Sequence, residues 1–362
     1  CGFTPSVNLI HGPNGAGKTN LLEAIHFLCL SKGFVTSQDR YVVRKGAGHL
    51  EVEGHFQRDD GRNLRVRMAY VPGEGKRIFV NGAPLERLSD IVGQLPVVVY
   101  SPQDHVLTAG GPEERRRLID NILSQARPLY LDTLIRYRRA LKQRNSLLLR
   151  LQEQRGPSAA AALEPWNVEL IELGSRIIAS RAQFVRAFSE YLERAYREIE
   201  SVAERPTLTY DALTSGADPE DISGAFRQAL AESASRERRR GLTLVGPHRD
   251  ELVFRLDSML VRRYASQGQH RTFGMALKLA KYFYLQDQTG ERPILLLDDV
   301  FDHLDRSRSK AFLDLLQSDR IGQALITAAD PQRFWDFVSF DAAENSQVRV
   351  EAGGGIGEGD GG

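Results

Sequence analysis

Residues 7–30, VNLIHGPNGAGKTNLLEAIHFLCL, constrain the fold more than any other stretch of this chain. Val7, Leu9 and Ile10 read as a short buried strand, and Leu21, Leu22, Ile25 and Leu28 then recur at helical spacing. Between them, Gly12, Pro13, Asn14, Gly15, Ala16, Gly17, Lys18 and Thr19 fit G-x-x-x-x-G-K-[ST]. The glycines let the backbone curl so that successive N–H groups point at phosphate oxygens. The helix that follows adds its positive end. In such a loop Lys18 reaches the terminal phosphates and the Thr19 hydroxyl ligates Mg²⁺. The stretch, with Asn20, therefore predicts a site for ATP or a similar triphosphate.

A chain of 362 residues is long enough for about two domains. The net charge is only +1, so any basic surface must be local. Cys1 and Cys29 have neither metal-ligand nor disulfide spacing, which suits a reducing cytoplasm. The longest apolar runs, 97–99 and 294–297, are far too short to span a membrane, and no secretory signal is visible. The chain opens at Cys1, without Met, a few residues before the glycine turn. One or two strands are expected to be missing from its beginning.

After the first helix, residues 49–56 and 64–71 alternate as strands around a polar hairpin loop, and 77–80 runs into Asn81-Gly82, the strongest short turn signal. These predict an antiparallel layer. An apolar strand over 97–100 then ends in a polar loop containing Gln103. From Glu113 to Arg240 the pattern is helical. Its stripes predict two helices of about 35–40 residues, roughly 50–60 Å long, packed as an antiparallel hairpin around a small-residue break at 156–165. Strands at 294–297, 324–327 and 347–350 alternate with helices at 271–286 and 306–317. The predicted fold is α/β, a mixed sheet with an antiparallel β layer and an inserted all-helical lobe. Its parts are 1–112 and 242–352 in one head, 113–241 in the lobe, and a disordered glycine-rich tail at 353–362.

A phosphate loop needs a metal carboxylate on a neighbouring strand. Ile294–Leu297 followed by Asp298 and Asp299 supplies it: Asp298 to hold Mg²⁺ opposite Thr19, Asp299 to orient the attacking water. Ser266-Gln267-Gly268-Gln269, at the start of the next helix upstream, resembles the S-G-G-Q signature of ABC-type ATPases. Ser266, Gly268 and Gln269 would form a second anion cradle, and the resemblance implies that this cradle closes on the nucleotide of another subunit. It also implies an interface role for Asp302 and Asp305, Mg²⁺ and γ-phosphate sensing by Gln103, and a switch position at Thr327.

The resemblance narrows further. Residues 15–25, Ser101-Pro102-Gln103-Asp104, Gly111-Pro112 with Arg115-Arg116-Arg117 and Asp120, Leu141-Lys142-Gln143-Arg144-Asn145, Gly246-Pro247-His248-Arg249-Asp250 and Asp298-Asp299-Val300 are similar, in order, to the RecF family of SMC-like ABC ATPases. That resemblance implies an ATP-dependent homodimer serving DNA replication, repair, recombination and the SOS response. It would bind double-stranded or gapped DNA, work with RecR and RecO, help to place RecA, and hydrolyse ATP weakly under DNA stimulation. Arg115, Arg116, Arg138, Arg139 and Arg239 are the candidate DNA contacts. A transporter ATPase fits less well, because the lobe separates Lys18 from Asp298 and nothing membrane-facing is visible. A long-armed SMC or RecN protein would need more helix. A nucleotide-sensing scaffold without useful hydrolysis fits as an alternative, since Asp299 stands where many such ATPases carry glutamate.

Overall fold

The computed structural model describes residues 1–36, 38–152, 157–199, 204–214, 218–301, 304, 306–340, 344–351 and 355–358. Five strands pair in parallel, in the spatial order Ser346–Val350, Val7–His11, Ala324–Ala328, Ile294–Leu297 and Val97–Tyr100. The three central strands, Val7–His11, Ala324–Ala328 and Ile294–Leu297, are mostly apolar and almost wholly buried, as expected of parallel strands covered on both faces, whereas Ser346–Val350 nearer the edge buries only Val348 and Val350. Parallel strands all end at the same edge, which is where ligands of such sheets bind. The register sets the rows there: Ile10 lies beside Thr327, and Leu297 lies beside both Ile326 and Tyr100. The loop after His11, Asp298, Thr327 and Ser101 therefore arrive at one edge.

A second, antiparallel sheet runs Leu50–Gln57, Asn63–Val71, Gly75–Val80 and Ala83–Pro84. Asn81 and Gly82 both take positive φ, as the turn before its last strand requires. Val66, Met68 and Ile78 of this sheet share one apolar cluster with Leu22, Phe27, Leu28 and Leu30 of the helix Lys18–Leu30. Val97, Val99, Leu296 and Leu325 of the parallel sheet belong to the same cluster. That helix is thereby clamped between two sheets, which fixes the loop at its N-terminus.

The chain divides into two compact units, residues 1–105, 194–202 and 271–362 in one and 106–193 and 203–270 in the other. Residues 242–270, expected in the head, belong with the lobe because Glu251–Leu256 is paired along its length with Pro206–Asp211. That second strand, Pro-Thr-Leu-Thr-Tyr-Asp, is a six-residue β pattern inside the stretch that reads as helical. Within the lobe, the first expected long helix is two, Pro112–Ala126 and Pro128–Arg150, divided at Pro128. The second, Pro157–Ile199, runs through the expected break and contains Pro165. Four consecutive alanines, 159–162, favour helix there. Contacts Tyr130 to Arg181, Arg144 to Asn167 and Leu148 to Leu163 show that the two long helices are antiparallel. Ile356–Glu358, in the stretch expected as a disordered tail, pairs antiparallel with Val348–Val350. The edge strand offers unpaired backbone groups, and a glycine-rich segment can satisfy them.

The lobe also buries charge. Arg144 donates to Glu237 at 2.7 Å, Thr243 at 2.8 Å and Asn167 at 2.9 Å, and Glu237 has no exposed surface. Removing one partner of such a pair strands the other. Arg144→Ala should lower stability by about 3–5 kcal/mol, read as a fall in the urea midpoint; a change under about 1 kcal/mol would contradict a desolvated Glu237 charge.

Candidate active site

The site grows from strand ends at one sheet edge. The turn after His11 takes positive φ at Gly12 (153°), Gly15 (80°) and Gly17 (106°). A Cβ at Gly12 would lie 2.1 Å from the Val350 carbonyl oxygen, so only glycine fits. The helix Lys18–Leu30 starts on Gly17 with no side-chain cap, which leaves its first N–H groups available to an anion. Lys18, only 5% exposed, donates to the carbonyls of Gly12 (2.9 Å) and Pro13 (3.3 Å), so its charge is held within the loop. His11, just upstream, has a buried Nε2 without a partner among the described residues. Burial first, then the charges of Arg349 and Lys18, hold its pKa below the ordinary value.

Asp298 joins the loop to the sheet. Its Oδ1 accepts hydrogen bonds from Thr19 Oγ1 and from Thr327 Oγ1, both at 2.9 Å. Thr327 is fully buried, and its hydroxyl oxygen in turn accepts the Asp299 N–H at 2.9 Å. Asp299 turns into the left-handed region (φ 48°), a conformation Asp tolerates better than most residues. Lys18, Thr19, Asp298, Asp299 and Thr327 are thus brought together. A threonine hydroxyl beside a carboxylate is a hard oxygen set. It suits Mg²⁺, which takes few protein ligands and completes its shell with water and phosphate.

Gln103 is exposed on the one-turn helix Pro102–Asp104 that follows Val97–Tyr100. Its loop is pinned by residues to which the sequence reading gave no role. One Asp104 oxygen accepts the Ser101 N–H at 2.8 Å, and the other pairs with Lys278 Nζ at 2.7 Å. Lys278 also donates to the Val99 carbonyl at 2.7 Å. The spacing from Ser101 to Asp104 is a capping signal; Lys278, one lysine on a helix, has none. Glu23 is a second such residue. Its carboxylate accepts the N–H groups of Val35 and Thr36, and its pKa is raised chiefly by burial, those two bonds opposing and the Asp298 charge adding to the rise.

Ser266 and Gln269 cap the helix Gln267–Thr289 reciprocally: Ser266 Oγ accepts the Gln269 N–H at 3.2 Å, and Gln269 Oε1 accepts the Ser266 N–H at 2.7 Å. Gly268 lies in that first turn. Asp302 and Asp305 lie outside the described residues. Among the candidate DNA contacts, Arg115 is corrected. It is 4% exposed and bound to Glu251 (2.7 Å) and the Gly110 carbonyl (2.9 Å), which makes it a core cation. Arg116 is half-buried against the Asp250 carbonyl, and Arg138 is exposed but paired with Asp120. Arg139 and Arg239 are exposed.

The family model described as the RecF/RecN/SMC N terminal domain matches residues 1–348. The DNA replication and repair protein RecF of Salinibacter ruber is 56% identical over 356 residues, 98% of this chain and 86% of that protein. That of Chloroherpeton thalassium is 45% identical over 91% of this chain and 90% of its own. A solved structure of the recombination mediator protein RecF with ATP, in the RecFOR pathway, superposes with a TM-score of 0.89 at 29% identity, covering 99% of this chain and 92% of that one. The Smc head domain of Pyrococcus furiosus, at 17% identity and a TM-score of 0.52, shares the fold.

His26, on the helix that carries Lys18, donates Nδ1–H to the Lys32 carbonyl at 2.6 Å. Burial pushes its pKa down to about 3, with the charges of Lys281, Lys32 and Lys278 adding to the fall. The folded pKa lies below the unfolded value, so the fold favours neutral His26. This stability is complete above about pH 6.5 and is lost as pH falls towards 3. His26→Gln, which cannot protonate, should lose less stability than the parent between pH 6.5 and 4 in denaturant titrations. Parallel profiles would contradict the buried neutral ring.

Proposed function

The chain belongs to the RecF family, and from that premise we propose that it is an ATP-hydrolysing DNA replication and repair protein whose nucleotide site is completed by a second copy. The observation that carries this is the Asp298 carboxylate tying Thr19 of the phosphate loop to Thr327 at the sheet edge. In this reading the loop N–H groups and Lys18 hold the β- and γ-phosphates of ATP. Thr19 and Asp298, with Gln103, hold Mg²⁺, which when bound neutralises phosphate charge. Asp299 orients the attacking water, and Thr327, holding the Asp299 N–H, keeps that carboxylate at the γ-phosphate. Aspartate reaches one methylene less far than glutamate, so hydrolysis is slow and serves as a switch, stimulated by DNA. Ser266, Gly268 and Gln269 meet the nucleotide of the partner copy, and Asp302 and Asp305 cross between copies.

The relatives' names place them in DNA replication and repair, and the solved structures place RecF in the RecFOR pathway. For this chain we accordingly propose binding to gapped duplex DNA, cooperation with RecR and RecO, and an indirect role in placing RecA, in the cytoplasm. No helix among the described residues is long and apolar enough to cross a membrane.

A ligand shared between two chains stabilises their association by mass action. Sedimentation velocity should show monomers without nucleotide and dimers with ATP and Mg²⁺; monomers under both conditions would falsify the shared site. Ser266→Arg should bind ATP normally yet remain monomeric, whereas Lys18→Met should bind ATP at least tenfold more weakly. Normal dimerisation of Ser266→Arg would remove the signature segment from the interface.

A further inference from the structure

The helices Pro128–Arg150 and Pro219–Arg240 meet at their C-terminal ends. Gln152 Nε2 donates to the Arg239 carbonyl at 3.1 Å, and a Cβ on Gly241 would lie 2.5 Å from Leu149 Cδ2. Around this junction Arg139, Lys142, Arg150, Arg236, Arg239 and Arg240 are all exposed. Residues 139–152 contain no acid, and the sole acid in 233–242 is Glu237, buried against Arg144. None of the six cations has a carboxylate partner among the described residues. Several other exposed arginines of the lobe are paired, Arg117 with Glu113 and Glu114, Arg138 with Asp120 and Arg176 with Glu172. Arg186, Arg227, Arg262 and Arg263 are exposed without a carboxylate partner among the described residues, and they lie outside the stretches 139–152 and 233–242.

Helix dipoles do not account for this excess. Each helix end carries about half a negative charge, felt within its last turn. Two ends would use roughly one cation between them. Lys142 and Arg139 stand about 12 and 16 Å back from Arg150 along the helix, beyond that range. Nor are the charges offset by a fold-internal need, since they face solvent.

Resting on the DNA reading above, we propose that this six-cation face of the lobe is a contact surface for the phosphate backbone of duplex DNA. Uncompensated cations spread over a length of this order match a polyanion of regular spacing. Neither stretch contains an aromatic residue on which an unpaired base could stack, which separates duplex from single-strand binding. Two partly exposed leucines, Leu149 (57%) and Leu242 (40%), are its apolar content, too little to anchor a protein partner. The face replaces Arg115, Arg116 and Arg138, whose charges are spent inside the lobe or on Asp120.

The test is fluorescence anisotropy of a labelled duplex with the full chain, ATP and Mg²⁺, over a salt series. Arg139→Glu with Lys142→Glu, and separately Arg239→Glu with Arg240→Glu, should each weaken binding at least tenfold and reduce the slope of log K against log salt by about 2. ATP binding should be unchanged in both, and Arg117→Glu should behave as the parent. If the parent binds DNA and both double variants stay within twofold of it, the surface is wrong while the DNA reading stands, and an acidic polypeptide becomes the better partner. If the parent binds no duplex at any salt, the DNA reading itself falls and takes the surface with it.

Discussion

One carboxylate oxygen, Oδ1 of Asp298, holds the proposed nucleotide site together. It accepts hydroxyls from Thr19 and Thr327, which belong to different elements and are more than 300 residues apart. Such a meeting is possible because the strands preceding Gly12, Asp298 and Thr327 are parallel and in fixed register, so their ends share a row. A register shift of one residue would point Thr327 to the other face of the sheet. Thr327 then sets Asp299 by accepting its N–H. The order of dependence runs from sheet to Asp298, from Asp298 to both threonines, and from Thr327 to the residue proposed to orient water.

The helical lobe shows a different use of polar residues. Its basic and acidic motifs, Arg115 to Asp120, Arg144-Asn145 and Pro247 to Asp250, converge on a buried polar core. Arg181 donates to Asp120 at 2.8 Å and to the Pro247 carbonyl at 2.7 Å, and Tyr130 donates to Asp120 at 2.6 Å. Asp250, beside Arg181 and hydrogen-bonded by Tyr210, has its pKa pushed up to about 6, mainly by burial. Buried pairs of this kind contribute little net stability over apolar packing, yet each is costly to break singly. Motifs that read in the sequence as markers of a DNA-binding family are, in their side-chain contacts, the lobe's internal framework.

This explains what the sequence could and could not disclose. The strand, glycine turn and helix around Lys18 were legible because their signals are local: glycine spacing, lysine and threonine all lie within eight residues. The placement of Asp298 beside Thr19 was legible because an apolar strand ending in acids is expected next to such a loop. Lys278 and Glu23 were not, because their importance lies in what tertiary packing sets beside them: the Asp104 carboxylate in one case, the N–H groups of Val35 and Thr36 in the other. The misreading of Arg115 has the same root. Composition marks an arginine as basic, and burial with Glu251 decides whether that charge reaches solvent. The helix break expected at 156–165 failed for a related reason: one proline costs about 3 kcal/mol in a helix interior, less than a long, well-packed apolar stripe returns.

Ser266 shows how one residue can serve both the fold and the proposed site. As the N-cap, its oxygen accepts the Gln269 N–H, while the Gln269 side chain accepts the N–H of Ser266. This reciprocal cap uses the hydroxyl as an acceptor alone. A hydroxyl carries a donor as well, and capping leaves that O–H to an anion approaching the helix start. Gly268 adds no side chain to obstruct the approach, and the remaining first-turn N–H groups point the same way along the axis. Gln269 Nε2 in turn donates to Glu204 at 2.6 Å. The local order of Ser266 is thus set before any nucleotide arrives. A preformed donor loses little entropy on binding, and this is what the proposed site, shared between two chains, would require if the nucleotide is to decide whether they associate.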